Sequence, residues 1–89
     1  MDNIVLYSQE GKEAFKINID DNKKATVAEV IYDSYNYHYA AVKLFTESQI
    51  KIDVRKTTPA RDWSDTYLFD KKPDGKFVLK KIDGNIFAE

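Results

Sequence analysis

In the stretch QIKIDVRK, residues 49–56, Ile50, Ile52 and Val54 alternate with Lys51, Asp53 and Arg55. A period of two places apolar side chains on one face of an extended chain and charged ones on the other, the signature of a strand in a sheet with one wet face. A strand of this kind needs neighbours. The nearest is HYAAVKLFT, residues 38–46, predicted to pair with it as a hairpin. The same period recurs where Phe15, Ile17 and Ile19 alternate with Lys16, Asn18 and Asp20. Together with NIVLYS, residues 3–8, and the turn QEGK, this makes a first hairpin. WSDTYLFD and KFVLKKID flank KKPDG, where Pro73, Asp74 and Gly75 are turn residues in favourable order, and they make a closing hairpin. TTPARD, residues 57–62, reads as a loop, because Pro59 lacks the N–H that a central strand needs and biases Thr58 away from helix. Trp63 and Phe77 are expected in the core, with Ile50, Ile52, Leu68 and Phe69 or their alternating neighbours.

Residues 26–47 carry two patterns at once. Thr26 followed by Glu29 makes a capping box, and Val27, Val30 and Ile31 then share one helical face. Against this, four tyrosines with Val, Ile, Phe and Thr are β-formers, and Tyr35, Tyr37 and Tyr39 alternate with Asn36 and His38. Asp33, Ser34 and Asn36 favour ends and turns, which predicts a helix from Thr26 to about Tyr35 followed by the strand at about 38–46. The expected fold is therefore α+β: an antiparallel sheet of five or six strands with one short helix after the first hairpin. An all-β antiparallel meander, with 26–33 as a strand, is the alternative.

Residues 3–52, in the order hairpin, TVAEVI, then AVKLFTESQIKI, are similar to the hairpin, helix and hairpin of ubiquitin-like β-grasp domains. Residues 66–83, TYLFDKKPDGKFVLKKID, resemble the last hairpin of many domains of the nuclear-transport-factor-2-like superfamily. Neither resemblance rests on a diagnostic motif, neither carries functional residues across, and no family is assigned from them.

A length of 89 residues allows one stable core, so a single domain over 1–89 is expected. The absence of cysteine excludes disulfides, thiolate metal sites and Cys nucleophiles, and a small domain without disulfides is expected in the cytoplasm. The start MDNIVLYSQEGKEAF lacks the basic region and long apolar run of a signal peptide, and no window approaches a membrane span. The formal net charge is −1, which favours neither nucleic acid nor an acid-seeking partner. Locally the balance differs. Residues 49–61 carry Lys51, Arg55, Lys56 and Arg61 against Asp53, and residues 62–75 carry four aspartates against two lysines.

Most chemistries lack their residues. Glycine stands only at 11, 75 and 84, too sparse for a phosphate-cradling loop, and the single histidine excludes a structural zinc site. Asp20, Asp21 and Asn22 lack the glycine and distal glutamate of a calcium loop and read as a solvated turn. Ser34 and His38 would have to supply nucleophile and base without an oxyanion hole, and Asp62 and Asp65, which bracket Trp63, lack a cleft. No catalytic residue, no cofactor and no metal is expected.

YDSYNYHY, residues 32–39, holds four of the six tyrosines and the only histidine, more than one small core accepts. Tyrosine gives large apolar area with a polar tip at little entropic cost, as interface hot spots require. The purely structural alternative is that two of the four, Tyr32 and Tyr39, pack in the core with their hydroxyls reaching water. Tyr35, Tyr37 and His38 are expected to face a partner, with Arg55 and Arg61 at the rim and with Tyr37 and Tyr39 on a common strand face. The expected function is a non-catalytic, intracellular protein-binding module, an inhibitor or adaptor that occupies a partner protein's surface. Weak single-stranded nucleic-acid binding through Tyr35, Tyr37 and Tyr39 with Lys51 and Arg55 is the rival, disfavoured by the charge balance. An exposed edge strand could also pair with its twin in a homodimer.

Overall fold

The computed structural model describes residues 2–32, 34–35 and 37–88. They form β1 (Asp2–Tyr7), β2 (Glu13–Ile19), β3 (Ala25–Val30), β4 (Tyr37–Phe45), β5 (Gln49–Thr57), β6 (Asp62–Lys71) and β7 (Phe77–Ala88). All seven lie in one sheet in the order β3-β2-β1-β7-β6-β5-β4. Every adjacent pair is antiparallel except β1 and β7, which run parallel. The sheet curls into a nearly closed barrel that brings the outer strands β3 and β4 towards each other. Following the pairings round the sheet, those two strands run antiparallel across the seam.

The α+β expectation is overturned: the described residues contain no helix, the sheet has seven strands rather than five or six, and the expected helix at 26–35 is replaced by β3. The β-grasp order fails with it. The alternative strand at 26–33 is the nearer reading, although the parallel β1–β7 pair means that the sheet is not a simple meander. The misleading signal has a local cause. In the β2–β3 ladder Ile17 faces Val27 while Lys16 faces Glu29, so Ala28 is an extra, bulged residue. A bulge turns a spacing of two into a spacing of three, and both Val27 and Val30 pack against the core from one strand. Glu29 does not cap a helix. It meets the Lys16 ammonium across the ladder at 3.8 Å.

The three hairpins expected from the sequence are present, with β4 and β5 paired from Tyr37↔Lys56 to Phe45↔Ile50. In the β6–β7 turn Gly75 adopts φ 90°, a conformation that any Cβ would strain, and its N–H donates to the Lys72 carbonyl at 2.8 Å. The buried face of β5 carries Ile50, Ile52, Val54 and then Lys56. Across it lie Phe69, Tyr67 and Asp65 of β6, and Leu6, Phe15 and Ile17 of β1 and β2 complete the core. Phe77, Ile50, Ile52, Leu68 and Phe69 are buried as expected, but Trp63 is not a core residue. It is the second residue of β6 and only half-buried, and it stands near the end of the strand, four residues before the buried Tyr67.

Candidate functional site

The described part of the 31–36 connection is tied to the fold by its first two residues. The N–H groups of Ile31 and Tyr32 both donate to the Ala14 carbonyl at 2.9 Å. The Tyr32 ring then meets the buried Tyr67 ring edge-on, with centroids 6.1 Å apart. Tyr67 in turn meets Phe15 at 5.1 Å, and Phe15 meets Phe69 at 5.8 Å, both edge-on. A column of aromatic rings therefore runs from the core to the start of the tyrosine-rich segment. Edge-to-face contacts of this kind suit the ring quadrupoles and fix orientation as well as burial.

Beyond that anchor the tyrosines are exposed. Tyr35 is 80% exposed, Tyr37 41% and Tyr39 56%. Ile31 and Tyr32 are also among the exposed large apolar residues, so the purely structural alternative, with Tyr32 and Tyr39 in the core, does not hold for either residue. Among the described residues, Phe45 and Ile82 are the exposed large apolar residues outside 31–39.

A second bulge divides the expected site. Tyr37 pairs with Lys56 while Tyr39 pairs with the adjacent Arg55, which leaves His38 as the extra residue. Residues directly opposite each other share a face. Tyr37 therefore belongs with the inward Lys56, and Tyr39 with the outward Arg55, so the common face expected for Tyr37 and Tyr39 does not form. Two small groups result. On the inner side, Tyr37, Lys56 and Trp63 stand in one row across β4, β5 and β6, and the Arg61 guanidinium lies 4.6 Å from the centre of the Trp63 ring. On the outer side Tyr39 and Arg55 are neighbours. Tyr35 precedes both, and His38 sits at the break between them.

Lys56 was missed as a site residue, although the alternation of 50, 52 and 54 carries it to an inward position at 56. It is 2% exposed, and its ammonium lies 3.4 Å from the Asp65 carboxylate. The other oxygen of Asp65 rests over Gly84, where an added Cβ would come within 3.3 Å of it. Lys56 and Asp65 thus form a diagonal ion pair on the inner face, with Lys56 in the row of Tyr37 and Asp65 in the row of Val54. The carboxylates that bracket Trp63 do not work together. Asp65 faces inward to Lys56, while Asp62 accepts the Thr57 hydroxyl one row further along the ladder.

Between β3 and β4 a cleft of about 190 Å³ is bounded by Val27–Val30 and Tyr37–Ala40. A second, of about 280 Å³, lies between the Ser8–Glu10 turn, Tyr32 and Ile82. Among the described residues no group of three or more His, Asp or Glu side chains could hold a metal ion, and the Asp20 carboxylate is occupied by the N–H groups of Asn22 and Lys24, both at 2.9 Å. No helix of the described residues is long and apolar enough to cross a membrane. Neither a protein-family model, nor a curated protein, nor a solved structure matches this chain.

Proposed function

We propose that this chain is a non-catalytic protein-binding module, an inhibitor or adaptor that occupies a partner protein's surface with the tyrosines at the β3–β4 end of the barrel. The observation that carries the reading is the concentration of exposed large side chains in residues 31–39, around Tyr35, Tyr37 and Tyr39. Exposed aromatics gathered at one end of a sheet, next to a strand edge without a ladder partner, offer apolar area and backbone hydrogen-bonding groups together. Tyr35 and Tyr37 are the anchors in this reading, His38 lies between the two faces, and Arg55 and Arg61 stand at the rim. The two arginines differ in setting, since Arg55 neighbours Tyr39 and Arg61 stacks on Trp63.

The test starts with a photo-reactive phenylalanine at position 35 and another, as control, at the exposed Lys23 in the β2–β3 turn. Each is irradiated in extract of the source cells, and the protein crosslinked from 35 but not from 23 is purified. Tyr35→Ala and Tyr37→Ala should each weaken its binding about 30-fold, corresponding to a hot-spot loss of about 2 kcal/mol, with Tm nearly unchanged. Arg55→Glu should chiefly slow association. Equal adducts from 35 and 23, or a fall in Tm without a fall in affinity, would refute the reading. Retention on single-stranded DNA at low salt, lost near about 200 mM, would instead favour nucleic acid.

A further inference from the structure

β7 outlasts its neighbour. It pairs with β6 along its length, but on its other side it meets β1 only through Leu6↔Phe77 and Tyr7↔Val78. Immediately afterwards the chain leaves the sheet in the turn that starts at Ser8, and the Gln9 side-chain amide donates to the Leu79 carbonyl at 3.2 Å. From residue 80 to residue 88 the outer edge of β7 has no strand partner among the described residues. The free stretch contains no proline, and its two irregularities fall near its ends, at Lys80 opposite Leu68/Phe69 and at Phe87 opposite Asp62/Trp63, so that 81–86 is regular. Ile82, within it, is 43% exposed.

The sequence of that edge is close to a palindrome: Ile82, Asp83, Gly84, Asn85, Ile86. Two copies of one strand joined antiparallel in a continuous sheet are related by a two-fold axis normal to the sheet. That axis keeps each face on its own side, so only residues separated by an even number can stand opposite each other. With the axis through Gly84, Ile82 opposes Ile86 of the second copy, Asp83 opposes Asn85, and the only residue facing itself has no side chain. With the axis through Asp83, two carboxylates would face each other. With the axis through Ile82, the ladder would run into Leu79, where Gln9 already binds the backbone.

We propose that the free edge of β7 is a homodimerisation edge: a second copy of this chain pairs antiparallel along residues 82–86 about Gly84, joining the two sheets into one. The edge adjoins Tyr32, which shares a cleft with Ile82, but the pairing uses none of the tyrosines at 35, 37 and 39. An edge-only contact lies at the small end of specific interfaces, so the dimer forms at raised concentration rather than at trace levels.

One like-charge approach persists in this register, because Asp83 and its symmetry mate are diagonal neighbours across the axis. Asp83 is exposed, with Lys81 3.5 Å away as its ion partner in the monomer. Asp83→Asn makes the palindrome complete and removes the repulsion, so it should tighten the dimer about threefold or more with Tm of the monomer little changed. In the Ile82-centred register the same substitution would delete two Lys81–Asp83 pairs across the interface and weaken the dimer.

The experiment is sedimentation equilibrium of the full chain and of Asp83→Asn over a wide concentration range, with amide hydrogen exchange at both ends of that range. The expected result is a concentration-dependent dimer, tighter in Asp83→Asn, with exchange slowed at 82–86 as concentration rises. A monomer throughout, a dimer weakened or unmoved by Asp83→Asn, or slowed exchange confined to β4 would overturn the proposal.

Discussion

Replacing Phe15 with Leu tests whether the aromatic column organises the fold. Phe15 has no solvent exposure, and its ring makes edge-on contacts with Tyr67 at 70° and Phe69 at 87°. Leucine keeps the site apolar but removes both ring contacts, each worth about 0.5–1.5 kcal/mol beyond simple burial. The smaller side chain leaves some unfilled space, which adds roughly 1 kcal/mol, so the expected cost is about 2–4 kcal/mol. A chain of 89 residues has a total stability of roughly 4–13 kcal/mol on the usual scale, and the variant should still fold. Urea unfolding followed by the single tryptophan, Trp63, reads the cost from the shift in midpoint at constant slope. The loss should also reach the candidate site. Tyr67 carries Tyr32, and Ala14, next to Phe15, accepts the N–H groups of Ile31 and Tyr32. Amide exchange at 31 and 32 should therefore quicken more than at the centre of β5. A cost below about 0.5 kcal/mol with an unchanged slope would refute the reasoning, because the rings would then be filling space and nothing more.

Two further substitutions separate the structure from the sequence expectation. Thr26→Ala should change stability by less than about 0.5 kcal/mol by urea unfolding, since Thr26 is an exposed strand residue opposite Asn18; a helix N-cap would lose about 1 kcal/mol. Trp63→Ala, followed by circular dichroism, should cost about 1–2 kcal/mol for a half-buried ring and its contact with Arg61, against about 3–5 kcal/mol for a core tryptophan.

The strands that alternate cleanly were legible from the residues alone. Ile50, Ile52 and Val54 fix the phase of β5, and Phe15, Ile17 and Ile19 that of β2, because a period of two admits one buried face. Where the period breaks, the sequence misleads. At Ala28 a bulge gives β3 the i, i+3 spacing of a helix, and Thr26 and Glu29 then imitate a capping box. At His38 a bulge cancels the apparent alternation of Tyr37 with Tyr39. A bulge costs one ladder position and leaves no residue type that marks it, so it becomes visible only once the partner strand is in place. Lys56 was hidden for a different reason. Its position followed from the phase of β5, but a lysine at an inward position reads as the end of a strand unless Asp65 is known to stand within reach.

The bulge at His38 also changes what kind of surface the tyrosines can make. Without it, Tyr37 and Tyr39 would form a stripe on one side of the sheet, and a flat partner surface would suffice. With it, Tyr37 stands in the row of Lys56 and Trp63 while Tyr39 stands beside Arg55 on the reverse side, and the edge of β4 lies between them. A partner that touches both must wrap that edge. An extended segment does so most directly: laid along β4 it can bond the free backbone groups while alternate side chains reach the Tyr37 side and the Tyr39 side in turn. The seam between β3 and β4 faces that same edge, and β3 presents Glu29 on the outer face of its own ladder. Under the proposed protein-binding function, a strand-like partner would therefore fit this end of the barrel better than a flat one.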